Sequence, residues 1–154
     1  MFTRKSRDTE ATFEVAKSED EWRKELPADR YAVLRRAGTE PPWSGDLLHV
    51  DGEGTFCCAG CGAELFDTDA KFESGTGWPS FDRARAAGTV LERKERGFVM
   101  ARTEILCARC GGHLGHVFPD GPTDTGQRYC VNSLSLTYEP EGEPGPPAET
   151  GAGG

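Results

Sequence analysis

Six cysteines and three histidines carry most of the chemistry this chain can offer. Cys58-Ala-Gly-Cys61 and Cys107-Ala-Arg-Cys110 are two C-x-x-C pairs, each followed by glycine, Gly62 and Gly111. A tight turn of that kind points both thiolates of a pair at one centre, and two pairs complete a tetrahedron around a metal ion. Four thiolates saturate zinc and leave no position for substrate. The pattern therefore predicts one structural zinc per chain, whose binding energy is folding energy. The alternative is two local disulfides or two redox pairs, an odd duplication for one small domain.

Removing these four leaves Cys57 and Cys130. Cys57 directly precedes a ligand, and its side chain points the other way along the strand, so packing is the plain reading. Cys130 stands in "RYCVNSLSL". On a strand, Arg128, Cys130 and Asn132 share one face. A cation beside a thiol lowers its pKa toward the reactive thiolate, and an amide can position a substrate. A core cysteine flanked by exposed Arg128 and Asn132 fits the same pattern, and residue types alone do not choose. "HLGHVFPDGP" follows the second knuckle and reads as a shaped turn anchored by the metal. Its His113, His116 and Asp120 lead back toward Cys130 and suit a thiolate site with proton donors, although His113 is equally readable as a structural residue. In "SGTGWPSFD", Trp78 is either core or, on a rigid Gly/Pro turn, the apolar wall of a pocket.

The elements that must position these groups are short. Ser18 and Glu21 have the spacing of a capping box ahead of "EDEWRKEL". Pro27 suits the first turn of "PADRYAVLRRAG", with Tyr31 and Leu34 on its apolar side and Gly38 as its stop. After the Pro/Gly loop "TEPPWSGDLLHVDGEG", strand signals dominate: "TFCC", "AELF", "TVLERK", "FVMARTEILC" and "YCVNSLSLTY". In the fourth, Val99, Ala101, Thr103 and Ile105 alternate with Phe98, Met100, Arg102 and Glu104, the period of a half-buried strand, with a hairpin turn expected at Gly97. Residues 1–17 read as a flexible arm, 18–138 as one domain, and 139–154 as a disordered acidic Pro/Gly tail.

The totals agree with one β-rich domain: 154 residues, 36% apolar, 20 Gly and 10 Pro. The formal net charge is −8, half of it from the four glutamates of 139–154, which excludes a general nucleic-acid binder. The densest basic stretch, Arg83 to Arg96, is interrupted by glutamates and reads as a solvated face. No run approaches the ~18 apolar residues of a membrane span, and the first residues lack the apolar core of an export signal. The cytoplasm is the expected compartment, where thiols stay reduced.

Taken in order, "CAGCGAELF", "SGTGWPSF", "CARCGGHLGHVFPDGP" and "RYCVNS" closely resemble the B-type peptide-methionine (R)-S-oxide reductases. "GTEPPWSG" is similar to that family's N-terminal wrap, and the resemblance runs from about Trp22 to Tyr138. It implies a mainly β fold, two twisted antiparallel sheets supported by a Cys₄ zinc site, with short N-terminal helices. It also implies reduction of the R epimer of methionine sulfoxide in oxidised proteins. Carried over by motif, Cys130 is the nucleophile and ends as a sulfenic acid. His116, with His113, holds and protonates the oxygen, directly or through water. Arg128 supports the thiolate, Asp120 and Asn132 orient the site, and Trp78 receives the ε-methyl group. One departure matters. Many members carry a resolving cysteine at the third position of "SGxGWPSF", where this chain has Thr76. Either an external thiol such as thioredoxin attacks Cys130 directly, or Cys57 resolves it after a large local opening; the first route is favoured. The rival readings are a non-enzymatic zinc-ribbon binding or chaperone module and a thiol peroxidase. A monomer is expected.

Overall fold

The computed structural model describes residues 13–95 and 102–141. The expected hairpin turn at Gly97, the alternation from Phe98 to Ala101, and most of the arm and tail lie outside the described residues. Ser18 caps helix α1 (Glu19–Glu25): its side chain accepts from the Glu21 N–H while the Glu21 carboxylate accepts from the Ser18 N–H. Helix α2 (Ala28–Arg36) starts after Pro27 and buries Tyr31, Val33 and Leu34. Its left-handed cap is Ala37, not Gly38; at Gly38 a Cβ would lie a tight 3.0 Å from the Ala32 carbonyl oxygen. The described end of the expected arm, residues 13–17, touches the second knuckle. The Val15 N–H donates to the Arg109 carbonyl at 3.0 Å, and Phe13 lies against Gly111.

Among the described residues nine strands follow: β1 (Gly54–Cys58), β2 (Glu64–Asp67), β3 (Lys71–Phe72), β4 (Ser80–Phe81), β5 (Val90–Glu95), β6 (Arg102–Cys107), β7 (His113–Phe118), β8 (Arg128–Val131) and β9 (Leu136–Pro140). They form a three-stranded sheet, β9-β1-β2, and a six-stranded sheet, β3-β4-β8-β7-β6-β5, with every pairing antiparallel. Aromatic rings join the sheets. Phe66 stacks on Phe81 at 4.4 Å, and Phe56 meets Phe81 edge-on at 5.0 Å. Ile105, Leu114, Val117 and Val131 complete the core from the larger sheet, and Trp22, Tyr31 and Leu34 from the helices.

Two stretches depart from the sequence reading. "YCVNSLSLTY" is not one strand: β8 ends at Val131, the 3₁₀ turn Ser133–Ser135 intervenes, and β9 continues in the other sheet. The crossing is held by Ser135, whose N–H donates to the Asn132 carbonyl and whose hydroxyl donates to the His113 carbonyl. "HLGHVF" is a strand, not a turn, because it finds ladder partners on both sides. Strand β9 runs on through Glu139 and Pro140, the first residues of the segment expected as the tail.

Candidate active site and metal centre

Strand β7 is irregular in one place, and the site depends on it. Thr103, Glu104 and Ile105 of β6 face Val117, His116 and Gly115, but Leu106 faces His113. One extra residue, Leu114, has been inserted as a β-bulge. Its side chain is fully buried in the core. His113 and His116, three residues apart, are thereby returned to the same outer face, with ring centroids 5.7 Å apart. The bulge frees the Leu114 carbonyl, and Asn132 satisfies it twice, through its backbone N–H at 2.9 Å and its side-chain amide at 3.1 Å. The same side chain accepts the Glu40 N–H at 3.0 Å, and the Glu40 carbonyl accepts the Trp78 indole N–H at 3.0 Å. One buried amide thus ties the histidine strand to the loop that holds Trp78.

Cys130 lies opposite His116 on one side and Ser80 on the other. Such cross-strand neighbours have Cβ atoms about 5 Å apart. The close approach of β7 to β8 requires Gly115, where a Cβ would fall 2.0 Å from the Cys130 carbonyl oxygen. A cavity of about 290 Å³ opens over Cys130, lined by Thr76, Trp78, His116, Phe118, Arg128 and Asn132 among others. Trp78 is half-buried, a pocket wall and not core.

Burial pushes the Cys130 thiol above its ordinary value; the Arg128 charge and hydrogen bonds from Thr76 and Arg128 oppose this without overcoming it. Arg128 is shared. It forms a two-pronged pair with Asp120 at 2.8 and 3.2 Å and stacks over Phe118 at 4.5 Å. Asp120, drawn down by that hydrogen bond, stands at the exposed end and orients Arg128 without lining the cavity. Burial also holds His116 below the usual histidine value, so the resting site pairs a protonated thiol with a neutral imidazole.

Two carboxylates behind the histidines went unread in the sequence. Glu104 accepts from His113 Nδ1 at 2.6 Å and from Arg93 at 2.7 and 3.2 Å, while Glu95 lies 3.2 Å from His116 Nε2 and pairs with Arg102. Glu104 and His113 are both buried, and His113 does not line the cavity. Arg93 and Glu95 come from the basic stretch read as a solvated face, although most of β5 is indeed exposed. The available signal was the polar side of the alternating strand, Arg102 and Glu104.

Cys58, Cys61, Cys107 and Cys110 have their sulfurs within 4.8 Å of one another. The two contacts between pairs are 3.7 Å for Cys58–Cys110 and 3.6 Å for Cys61–Cys107. A tetrahedron with metal–sulfur bonds of about 2.3 Å has sulfurs about 3.8 Å apart, so the donor set fits a metal ion. Gly62 and Gly111 make the knuckles with left-handed backbones. Hydrogen-bonding roles among crowded thiols pull Cys107 down to about 2 and push Cys110 up to about 12. Such a cluster favours a cation that lets all four ionise. Donors are in place: the Gly60 N–H lies 3.3 Å from Cys58 Sγ, and Arg35 reaches the Cys110 carbonyl at 3.0 Å while lying over Trp22. The remaining thiol, Cys57, lies in β1 of the smaller sheet; burial first, then Glu139 and Glu64, push it up.

A thiol facing an imidazole inside an apolar-walled cavity is the constellation of a thiol-dependent enzyme, set here on a β scaffold whose four clustered cysteines could hold a metal ion. Comparison with known proteins gives it a family. The SelR domain model matches residues 26–140. The chain is 55% identical over 127 residues to "Peptide methionine sulfoxide reductase MsrB" of Bradyrhizobium diazoefficiens, covering 82% of this chain and 91% of that protein. The protein of the same name from Leifsonia xyli subsp. xyli is 52% identical over 132 residues, covering 85% and 95%. That from Methanosarcina barkeri is 52% identical over 129 residues, covering 84% and 91%. The chain belongs to the SelR domain family. Among solved structures, the Mis18 "Yippee-like" domain superposes with a TM-score of 0.48 at 20% identity, over 59% of this chain and 99% of that one.

Proposed function

We propose that this chain reduces methionine sulfoxide in polypeptides, taking the R epimer, with Cys130 as the nucleophile. The carrying observation is the Cys130–His116 pair across the β7–β8 ladder beneath the Trp78 wall. The relatives named as peptide methionine sulfoxide reductases give it a substrate class. The protonation states suit the first step: Cys130 passes its proton to neutral His116 as the sulfoxide arrives. The thiolate attacks the sulfoxide sulfur, and the imidazolium returns the proton to the sulfoxide oxygen. The S–O bond of the substrate then breaks, methionine leaves as a thioether, and the hydroxyl ends on Cys130 as a sulfenic acid. The methionine sulfur gains the two electrons that Cys130 loses, and no proton enters or leaves overall. Arg128, held by Asp120, steadies the thiolate. Glu95 orients His116, and Glu104 orients His113 behind it. Asn132 joins the two walls.

Resolution needs a thiol from outside. Thr76, which lines the Cys130 cavity, offers a hydroxyl and no resolving sulfur, and Cys57 is in the other sheet. A dithiol reductant of the thioredoxin type would attack the sulfenate, releasing water and forming a mixed disulfide, which its second thiol then displaces. Zinc is the ion assigned to the four cysteines; when bound, it supplies a structural cross-link and no step of the reaction. Among the described residues no helix is long and apolar enough to cross a membrane.

The test is NADPH-coupled thioredoxin turnover on each separated epimer. The R epimer should turn over with wild type and not with Cys130→Ser; turnover of the S epimer alone would overturn the assignment. Peroxide turned over faster than sulfoxide would favour a peroxidase. After sulfoxide without reductant, mass spectrometry should find sulfenate on Cys130. A Cys57–Cys130 bridge would sink the one-cysteine route.

A further inference from the structure

Trp43 is anomalous twice over. It is 66% exposed, and the only other exposed large apolar side chain among the described residues is Leu91 at 37%. It also has φ +67, a left-handed backbone that residues with a Cβ rarely adopt. Among the described residues the other such non-glycine residue is Ala37, a helix cap. Strain of this kind persists where surrounding structure fixes it, and it clusters at binding sites. The fixing structure is evident. The Trp43 N–H donates to the Gly77 carbonyl at 2.8 Å, and Ser44 closes a turn on the Pro41 carbonyl at 2.6 Å. Gly77 admits no side chain, because a Cβ there would lie 2.6 Å from Pro42 Cβ. The loop carrying Trp43 is thus clamped to the loop carrying Thr76 and Trp78.

Between them lies a groove of about 250 Å³, walled by Trp43, Leu48, Phe72 and Trp78, with Glu73 at its edge. Lys71 Nζ donates to the Leu48 carbonyl and secures that side. Trp78 lines both this groove and the cavity over Cys130, so the two are separated by one indole. We infer that the groove is a subsite for an apolar or aromatic side chain flanking the oxidised methionine in an extended substrate polypeptide. The inference rests on the proposed activity and adds a sequence preference to it.

The size of the groove selects this occupant. A stable protein–protein contact, with a reductant or a second copy, buries on the order of 1,200–2,000 Å². A concavity of 250 Å³ takes one side chain. A polypeptide presenting its sulfoxide to Cys130 must lay its neighbours along the rim, and successive residues of an extended chain advance about 3.3 Å. A residue one or two positions from the sulfoxide therefore reaches across Trp78.

The test compares acetyl-methionine-sulfoxide methylamide, which has no flanking side chains, with alanine-flanked sulfoxide peptides carrying Phe at each of the two positions on either side. In wild type, Phe at one of these positions should lower KM roughly tenfold relative to Ala, about 1.4 kcal/mol. Trp43→Ser should remove that preference and leave the methylamide unaffected. Leu48→Asp, at the opposite wall, should do the same. Absence of a flank preference in wild type, or its survival in both variants, would overturn the subsite. So would an equal loss on the methylamide, which would make the groove a support for the cavity, or an effect confined to the KM of the reductant. Binding of fluorescent versions of the peptides to Cys130→Ser reads the preference without turnover. Preferential binding with no wild-type reduction of the methylamide would sink the proposed reaction and keep the subsite.

Discussion

Replacing Asn132 tests the architecture of the site more directly than replacing Cys130. Asn132→Ala removes the side-chain donor to the Leu114 carbonyl and the acceptor of the Glu40 N–H, and Asn132 and Glu40 are each only 3% exposed. The Leu114 carbonyl keeps the Asn132 backbone N–H, so its loss is partial, whereas the Glu40 N–H loses its acceptor. An unsatisfied buried group costs about 1–3 kcal/mol, and a lost amide bond about 1 kcal/mol. The expected destabilisation is therefore roughly 2–4 kcal/mol, read by urea denaturation. Because Glu40 also anchors the Trp78 indole, tryptophan fluorescence of the folded variant should change as well. Asn132→Asp separates the two bonds. Its carboxylate can still accept from Glu40, but the second oxygen faces the Leu114 carbonyl, where only a protonated carboxyl can donate. Folding then favours the protonated form, so the folded pKa is raised. The stability so gained is complete below the unfolded pKa and is lost as pH rises through the folded one. Asn132→Asp should approach wild type in mild acid and fall toward Asn132→Ala at neutral pH. A loss below about 0.5 kcal/mol for Asn132→Ala, or a pH-independent offset for Asn132→Asp, would refute the reasoning.

Gly115→Ala should destabilise by roughly 3–5 kcal/mol, because its Cβ would overlap the Cys130 carbonyl and force β7 from β8, and kcat/KM should fall about a hundredfold. Gly126→Ala, left-handed but with open space around it, should cost only about 1 kcal/mol by urea melt. Burial raises Glu104, but the hydrogen bonds from His113 and Arg93 outweigh it and leave its carboxyl below the ordinary 4.5. That contribution is present above the unfolded value and is lost as pH falls through the folded one, so Glu104→Gln should flatten the acid limb of a stability–pH curve. Alkylation of Cys130 by iodoacetamide should rise with pH around a midpoint above that of an ordinary thiol, and Arg128→Leu should move it higher still. Elemental analysis should find one zinc per chain, and Cys110→Ser should leave the chain unfolded by circular dichroism.

The parts of the site legible in the sequence were those encoded by residue type at fixed spacing. The four knuckle cysteines announce themselves, and arithmetic then isolates Cys130. Trp78 between Gly77 and Pro79 suggests a rigid wall. What escaped depends on which strand pairs with which, and at what register. The bulge at Leu114 is invisible until β6 is laid beside β7, and without it His113 and His116 seem to point to opposite faces. Glu95 and Glu104 acquire meaning only across the ladder. The break after Val131 has no glycine or proline to mark it; it follows from the demand of the freed Leu114 carbonyl for Asn132. The net balance at Cys130 was not legible either: Arg128 is evident in the sequence, whereas burial and the competing Asp120 are properties of the fold.

The chain of bonds from Leu114 through Asn132 and Glu40 to Trp78 also bears on how a substrate is met. The buried amide ties both sides of the reaction cavity together, beside the ladder that pairs Ser80 with Cys130, and so opposes their drifting independently of each other. The loss of conformational freedom needed to align imidazole, sulfur and indole then occurs once, at folding, and not at every turnover. A site prepared in this way should bind with little entropy of ordering on the protein side. Its selectivity would arise from the shape already in place and not from rearrangement around the guest.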